Sequence, residues 1–399
     1  MVKTLQATLI PTLERPLCPF LGTDSGSSIP SWVLGGEPST DIDFANTRAW
    51  QNATSYSTND TIKALFSTWS TPAHYATDTN GLLWAITANT LDSSVITAGL
   101  CKGQLLEVTR TNVVLQNRDL TNAAWTKSNT TAAKDQTGAD GTANGASKLT
   151  ATADNGTALQ AITLASSARF QTAYVKRITG TGTIQMTTDN GSTWTTITTT
   201  ASWTRQSIPT QTLANPTVGF KIATSGDAIA VDFVQNENGT FATSPIVVVG
   251  TAVARASTSL ISTNGGALCT NAQSAKSTYA QTTGIAAAAF ANVWKLADGA
   301  RLYMTATDYG LEGFSWSEFI ALTTYANTVK WAGSMDASGI SLTATDRAIE
   351  VGTDPYDGNT GNLYIGNTEA SAQYLNGYLT RVTFWPQRFS SSVLSGLVA

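Results

Sequence analysis

Apolar and polar residues alternate with a period of two through the middle of the chain. Val218, Phe220 and Ile222 alternate with Gly219 and Lys221, and Ile229, Val231 and Phe233 then alternate with Ala230 and Asp232. Successive side chains of a strand point to opposite faces, so each trio predicts a strand with one buried face. Phe233 is therefore expected in the same core as Ile229 and Val231. The run TIQMTT, DNG, STWTTIT over 183–198 predicts a hairpin with a type I′ turn at Asn190-Gly191, because both central residues of that turn need positive φ. Turn signals and strand runs recur about every 8–12 residues, the rhythm of a β-sandwich.

The flanks are less regular. In 41–112, Asn59 or Asp60 could cap a helix carrying Ile62, Leu65, Phe66 and Trp69 at i, i+3, i+4 and i+7. Thr71-Pro72 and Asn80-Gly81 point instead to a strand, a turn and a second strand. Together they predict a small, mostly β module with one short helix. In 259–399, Leu363 and Ile365 share one strand face, and Tyr378, Val382 and Phe384 share another. Pro386 should end that last strand, and Ser390 or Ser391 could cap one closing helical turn. The alanine-rich stretch 285–299 leaves helix and strand both open. Residues 1–40 carry Pro11, Pro16, Pro19, Pro30 and Pro38, which forbid continuous helix and interior strand. They read as an extended anchoring arm, held by another subunit or packed on its own chain. The fold class expected is all-β: the arm (1–40), the small module (41–112), a central sandwich (113–258) and a C-terminal sandwich (259–399).

Composition narrows the function. Charged residues make up 13% of the chain, about half the usual share of roughly 25%, and Thr, Ser, Asn, Ala and Gly fill the gap. Net charge is −4 and no basic stripe exists, so nucleic acid is not an expected partner. No apolar run approaches the length of a membrane span, and the N-terminal stretch lacks the apolar core and cleavage site of a signal peptide. Neither membrane insertion nor classical secretion is expected. Cys18, Cys101 and Cys269 are far apart with no Cys-x-x-Cys spacing. They read as buried small hydrophobes, with cross-linking between subunits as the alternative.

One stretch carries a resemblance. In LLEVTRTNVVLQNRDLTNAAWTKSNTTAAKDQTGADGTANGASKLT (105–150), Glu107 precedes Arg110-Thr111-Asn112 and the apolar run Val113 to Leu115. Trp125, Lys127, Asp140-Gly141 and Lys148-Leu149 follow. With FQTAYVKR (170–177), WTRQSI (203–208) and FATSPIVVVGTAVARAST (241–258), this resembles a recurrent domain of tailed-phage virion proteins. That domain is a jelly roll similar to carbohydrate-binding modules. LYIGN (363–367) followed by LNGYLTRVTFWPQRFS (375–390) looks like the end of a concanavalin A-like, laminin G-type sandwich. The resemblance implies a virion structural protein, assembled in the host cytoplasm and displayed as a fibre or spike. It also implies that the arm docks on other virion proteins and that the chain forms a homo-oligomer, with a trimer favoured. A host cell-surface glycan is the ligand such a fibre would take. A decoration or cement protein without ligand is the alternative, and a polysaccharide depolymerase a distant one.

Chemistry is sparse. Hydrolases of the concanavalin A-like clan carry Glu-x-Asp-x-x-Glu on one strand, and this chain has no such string; Glu312 and Glu318 are the nearest pair. His74 is the single histidine, and no Gly-x-Ser-x-Gly elbow accompanies it. No enzyme is expected. The loop 351–362 clusters Asp354, Asp357, Asn359 and Asn362. Calcium takes such hard oxygen ligands, with Asp354, Asp357 and Asn359 as the candidates, although turn-forming residues need no metal to stand there. For a sugar, Tyr356 with Asp357 and Asn359 is the best loop candidate; Trp194, just after a hairpin turn, Trp331 and Tyr374 follow. Trp125 and Trp203 read as core.

Overall fold

A computed structural model describes residues 40–51, 54–96, 100–263, 276–283, 290–297, 300–305, 308–312, 317–321, 328–336, 338–345, 347–352, 361–366 and 374–399. The chain is all-β, as its alternation requires, and its antiparallel sheets build two sandwiches. No helix among these residues is long and apolar enough to cross a membrane. Most of the expected arm, 1–39, lies outside the described residues.

The boundary expected at 112 does not separate a small module from the rest. Strand Thr40–Asp43 pairs with Gly377–Trp385, setting Ile42 opposite Val382. Thr68–Ser70 pairs with Ser259–Ser262, and Gln104–Leu106 pairs with the start of Gly377–Trp385. Segment 40–106 thus completes both sheets of the C-terminal sandwich. The cause is burial: strands of three or four residues cannot enclose a core of their own. Ile42, Phe44, Ile62 and Leu65 instead share one apolar cluster with Leu260, Trp294, Trp331 and Phe384. Arg381 fixes the register, donating two hydrogen bonds to Asp41 at 2.8 and 2.6 Å while Thr383 donates a third.

The central sandwich is inserted into this frame. Its way in, Arg110–Asn112, pairs antiparallel with its way out, Val253–Arg255. Asn112 is fully buried in this neck, donates to the carbonyls of Val234 and Ile246, and accepts from Val114 and Asn236. Glu107 accepts from the Ser244 backbone at 2.6 Å and lies 2.9 Å from the Arg255 guanidinium. Beyond the neck, two five-stranded sheets close on Trp125, Leu149, Val175, Met186, Phe220 and Val231. Trp125 is core as expected. Trp203 is half-buried at the edge of a separate cluster, under the Lys176 ammonium.

Two side chains leave the face that strict alternation assigns them. Opposite strand Ser167–Thr179, strand Ala228–Asn238 shifts register between the pairs Tyr174–Asp232 and Thr172–Gln235. Such a bulge puts two consecutive residues on one face. Val234 takes the core place, and Phe233, at φ 45, turns outward to Tyr174, Tyr75 and Leu83. A second shift, between Arg381 and Leu379, makes Thr380 the extra residue. Leu379, Val382 and Phe384 enter the main core, while Tyr378 joins Ala76, Ile86 and Leu105. The hairpin His74–Thr77 with Leu83–Ile86 is held between these two anchors. Tyr75 meets Phe233 edge-on at 4.8 Å, and the Thr77 backbone N–H donates to the Tyr378 hydroxyl at 2.6 Å.

Other local expectations were modified. The short helix is Asn59–Lys63, capped by Thr58 in a capping box rather than by Asn59 or Asp60. It stops before Trp69, which pairs with Leu260 in a strand, because sheet pairing outweighs a single helical repeat of apolar positions. The hairpin at Asn80-Gly81 forms, with a loop of five residues tied to the Asp78 carboxylate. Within the alanine-rich stretch, Phe290–Leu296 is strand, while 285–289 lie outside the described residues. The last strand ends at Trp385, before Pro386, and Ser390 starts the closing helix Ser391–Val398 without a side-chain cap bond. Cys101 is a free buried thiol, which burial pushes up to about 12; Cys18 and Cys269 lie outside the described residues.

Phe233→Ala is expected to cost about 3 kcal/mol or more, the usual range for a buried phenylalanine, and to split thermal unfolding into one transition per sandwich. Tyr378→Phe strips the Thr77 N–H of its acceptor and should cost about 1–3 kcal/mol. Scanning calorimetry of the full chain reads both; an unshifted single transition in Phe233→Ala would mean that the hairpin does not couple the sandwiches.

Candidate functional site

The sequence candidates separate sharply. Trp331 is completely buried and donates its indole N–H to Thr282, so it offers no face to a sugar. Its strand, Thr328–Asp336, lies inside the nine-stranded sheet, where the indole fills the core. Tyr374 is also buried, its hydroxyl bonded to Ser257. Tyr356, Asp354, Asp357 and Asn359, the calcium and sugar candidates of the 351–362 loop, lie outside the described residues; Asn362 is described and donates to the Tyr364 hydroxyl. Among the described residues, no group of three or more His, Cys, Asp or Glu side chains stands together to hold a metal. Glu312 is bound by the Arg301 guanidinium at 2.8 and 2.6 Å, and the register sets it against Ser317 while Glu318 stands against Leu311.

Trp194 is where the expected exposure is found. The strands Ile184–Thr187 and Thr195–Ile197 pair, and between them Asn190 and Gly191 both adopt positive φ, with the Ser192 N–H donating to Asp189 O. These are the dihedral signs of the expected type I′ turn, set in a wider loop. A Cβ on Gly191 would sit 2.7 Å from the Trp194 indole nitrogen, so glycine lets the ring lie down over the turn. Asp189 fixes the loop, accepting from Thr187, the Thr193 backbone and Gln211. Burial works against that carboxylate, but these hydrogen bonds outweigh it and hold Asp189 below its ordinary value.

The sheet beneath supplies the rest. Register places Gln185 opposite both Thr196 and Lys221, and Lys221 opposite Thr157. Thr196, Gln185, Lys221 and Thr157 therefore form one outward row, while Ile184, Ile197, Phe220 and Ile222 point into the core. Trp194 precedes Thr196 by two positions and so lies on the same outward face. It is half-buried, with the Lys221 ammonium 4.7 Å from its ring centroid. Thr196 also borders an open cleft of about 380 Å³ lined by Arg177, Gly180, Thr181, Gly182, Thr183 and Thr199. Arg177 is engaged there by Asp227, Thr199 and the Gly182 carbonyl. The arrangement combines a flat apolar ring with amide, hydroxyl and ammonium groups on a rigid sheet. It suits a polyhydroxylated ring, and no paired acid and base stand in it. Sequence reasoning found Trp194 but missed Gln185, Thr196 and Lys221. Their signal was their place at the polar positions of period-2 runs, and only the strand register joins them.

A larger cavity, about 530 Å³, lies between the hairpin and the neck, lined largely by Pro72, Ala73, Ala85, Ile86, Val247 and Val253. His74 borders it. The ring is buried, with Nδ1 2.8 Å from the Pro72 carbonyl and Nε2 3.1 Å from Asp92.

No family model and no curated protein matches the sequence. Similar solved structures include the Trypanosoma rangeli sialidase with the inhibitor DANA, at 10% identity over 35% of this chain and 27% of that one, TM-score 0.27. The tandem CBM22 domains of Xyn10C from Paenibacillus barcinonensis are similar at 9% identity over 71% of this chain and 95% of theirs, TM-score 0.24. Domains LG4-5 of the mouse laminin alpha1 chain are similar at 10% identity over 58% and 85%, TM-score 0.23. The chain spans about a quarter of the sialidase's length.

His74 yields a pH prediction. Burial opposes the imidazolium, but the Asp92 carboxylate and the Pro72 carbonyl, acceptors for both ring nitrogens, outweigh it and raise the pKa above the ordinary value of about 6.5. A raised folded pKa stabilises fully below the unfolded value, and this is lost as pH rises through the folded one. The melting-point advantage of wild type over His74→Gln should be greatest below about pH 6 and shrink as pH rises past about 6.5. An advantage independent of pH would show that the ring is neutral throughout.

Proposed function

We propose that this chain is a structural protein displayed on a tailed-phage particle, and that it binds a host glycan through the outward face around Trp194. The observation that carries the glycan reading is the half-buried indole on a turn fixed by Asp189, beside a row of Thr, Gln and Lys. A pyranose has one apolar face and a rim of hydroxyls, and this surface offers a partner for each. A binding face that is already rigid loses little freedom when a ligand docks.

The particle reading is supported by the sequence pattern of 105–150. Its residues serve roles that repay keeping: Glu107 and Asn112 close the neck, and Trp125 fills the core. In this reading the arm joins the chain to other virion proteins, and the chain acts as a homo-oligomer, a trimer in the favoured form, with no catalytic step of its own. The cement alternative has its own support. Val247 and Val253 are exposed and line the neck cavity, and exposed apolar side chains around one cavity suit a subunit contact.

A glycan array probed with the full chain and with Trp194→Ala tests the proposal. Wild type should bind a defined set of surface glycans saturably, and the variant should bind them about tenfold or more weakly, a loss of about 1.4 kcal/mol. A well-folded wild-type protein that binds no glycan would end the ligand reading and favour the cement alternative.

A further inference from the structure

We propose that the glycan held by the Trp194 face is anionic, and that Lys221 is the residue that reads its negative charge. This rests on the glycan reading above and adds the class of ligand.

The argument begins with what surrounds Lys221. Its ammonium lies over the Trp194 ring, and its cross-strand neighbours Gln185 and Thr157 are neutral. Lys63, Lys134 and Lys148 each stand within 4 Å of an aspartate, whereas Lys221, like Lys102 over Tyr378 and Lys176 over Trp203, forms no ion pair among the described residues. The whole central sandwich is described, so its near neighbours are known. The acidic groups on the adjoining loops keep their charge but turn their oxygens to other donors. Asp189 accepts from Thr187, Thr193 and Gln211, and Asp154 accepts from the Ser225 backbone. The indole N–H of Trp194 likewise donates to no acceptor among the described residues.

This face therefore presents two donors, an ammonium and an indole N–H, with no carboxylate to satisfy them, in a chain whose net charge is −4. A neutral sugar draws from that ammonium only a hydrogen bond to a hydroxyl, which an amide in its place could also give. An anionic one adds the attraction between opposite charges, which a hydroxyl cannot supply. The four-carbon lysine stem is flexible, so the ammonium can swing off the indole to the anion at the ring's rim while the sugar takes its place on the indole. Gln185 and Thr196 remain for hydroxyls. A carboxylate and a sulfate share the chemistry that an ammonium reads, and the array arms below tell them apart.

The test is an array bearing uronate-, sialate- and sulfate-containing glycans beside neutral ones, probed with the full-length wild type, Lys221→Gln, Lys221→Arg and Trp194→Ala. Wild type should favour anionic glycans, with binding weakened as salt rises from about 50 to about 500 mM. Lys221→Gln should weaken anionic ligands about five- to tenfold and neutral ones hardly at all, and Lys221→Arg should restore most of the loss. Binding confined to neutral glycans, lost in Trp194→Ala and unchanged in Lys221→Gln, would overturn this inference and leave the glycan reading standing. Anionic binding that ignores Lys221→Gln would also overturn it. Failure of wild type to bind any glycan would end both.

Discussion

Two β-bulges, at Phe233 and Thr380, decide how the parts of this molecule are joined. Each shifts a strand by one residue and turns an aromatic ring out of its own core toward the hairpin His74–Thr77 with Leu83–Ile86. For Phe233 the cost is a left-handed backbone at a bulky residue, worth about 1–3 kcal/mol. Burying the ring recovers a similar amount, so burial alone only breaks even. The margin comes from Tyr75 meeting the ring edge-on at 4.8 Å and from the Arg118 guanidinium 4.0 Å above it.

Arg118 is in turn held by two carboxylates. It donates to Asp232 at 2.7 and 2.9 Å and to Asp140 at 2.9 and 2.8 Å. Burial pushes the Asp140 carboxyl up, but the guanidinium more than offsets that and holds it below its ordinary value. Asp232 is more deeply buried, and there burial wins and raises the carboxyl. Asp232 also accepts from the backbone of Phe233, so the residue that forms the bulge and the residue that orients Arg118 are chemically one unit. A chain with 13% charged residues has few ion pairs to spend, and this one stands where the sandwiches meet.

The same bulges mark where the sequence stopped being readable. Period-2 alternation identified Val218, Phe220 and Ile222 correctly, and Asn190-Gly191 announced its own backbone signs, because both depend on neighbours in sequence. Alternation carried across a bulge assigns the wrong face, and nothing in AIAVDFVQ or YLTRVTF shows the extra residue. Long-range pairing was equally hidden. Asp41 and Arg381 stand 340 positions apart, and a four-residue strand says little about its partner. The candidate site divides in the same way: Trp194 was visible beside its turn, whereas Lys221 and Gln185 acquire meaning only through register. Trp331 misled because an aromatic near the C-terminal loops looks the same whether it faces solvent or core.

Insertion has a consequence for display. A domain strung on a single linker can swing, but this central sandwich is tied at three places. The paired strands of the neck hold both its ends, the Glu107–Arg255–Ser244 cluster locks the neck, and Phe233 rests on a hairpin that Tyr378 grips from the other side. The C-terminal sandwich cannot be cut away to test which half binds, because removing 259–399 strips 40–106 of its sheet partners. Point substitutions on an outward face avoid that difficulty. Thr196, Gln185 and Lys221 point away from the core that holds the sheet together, so changing them alters what the surface offers and leaves intact what positions it.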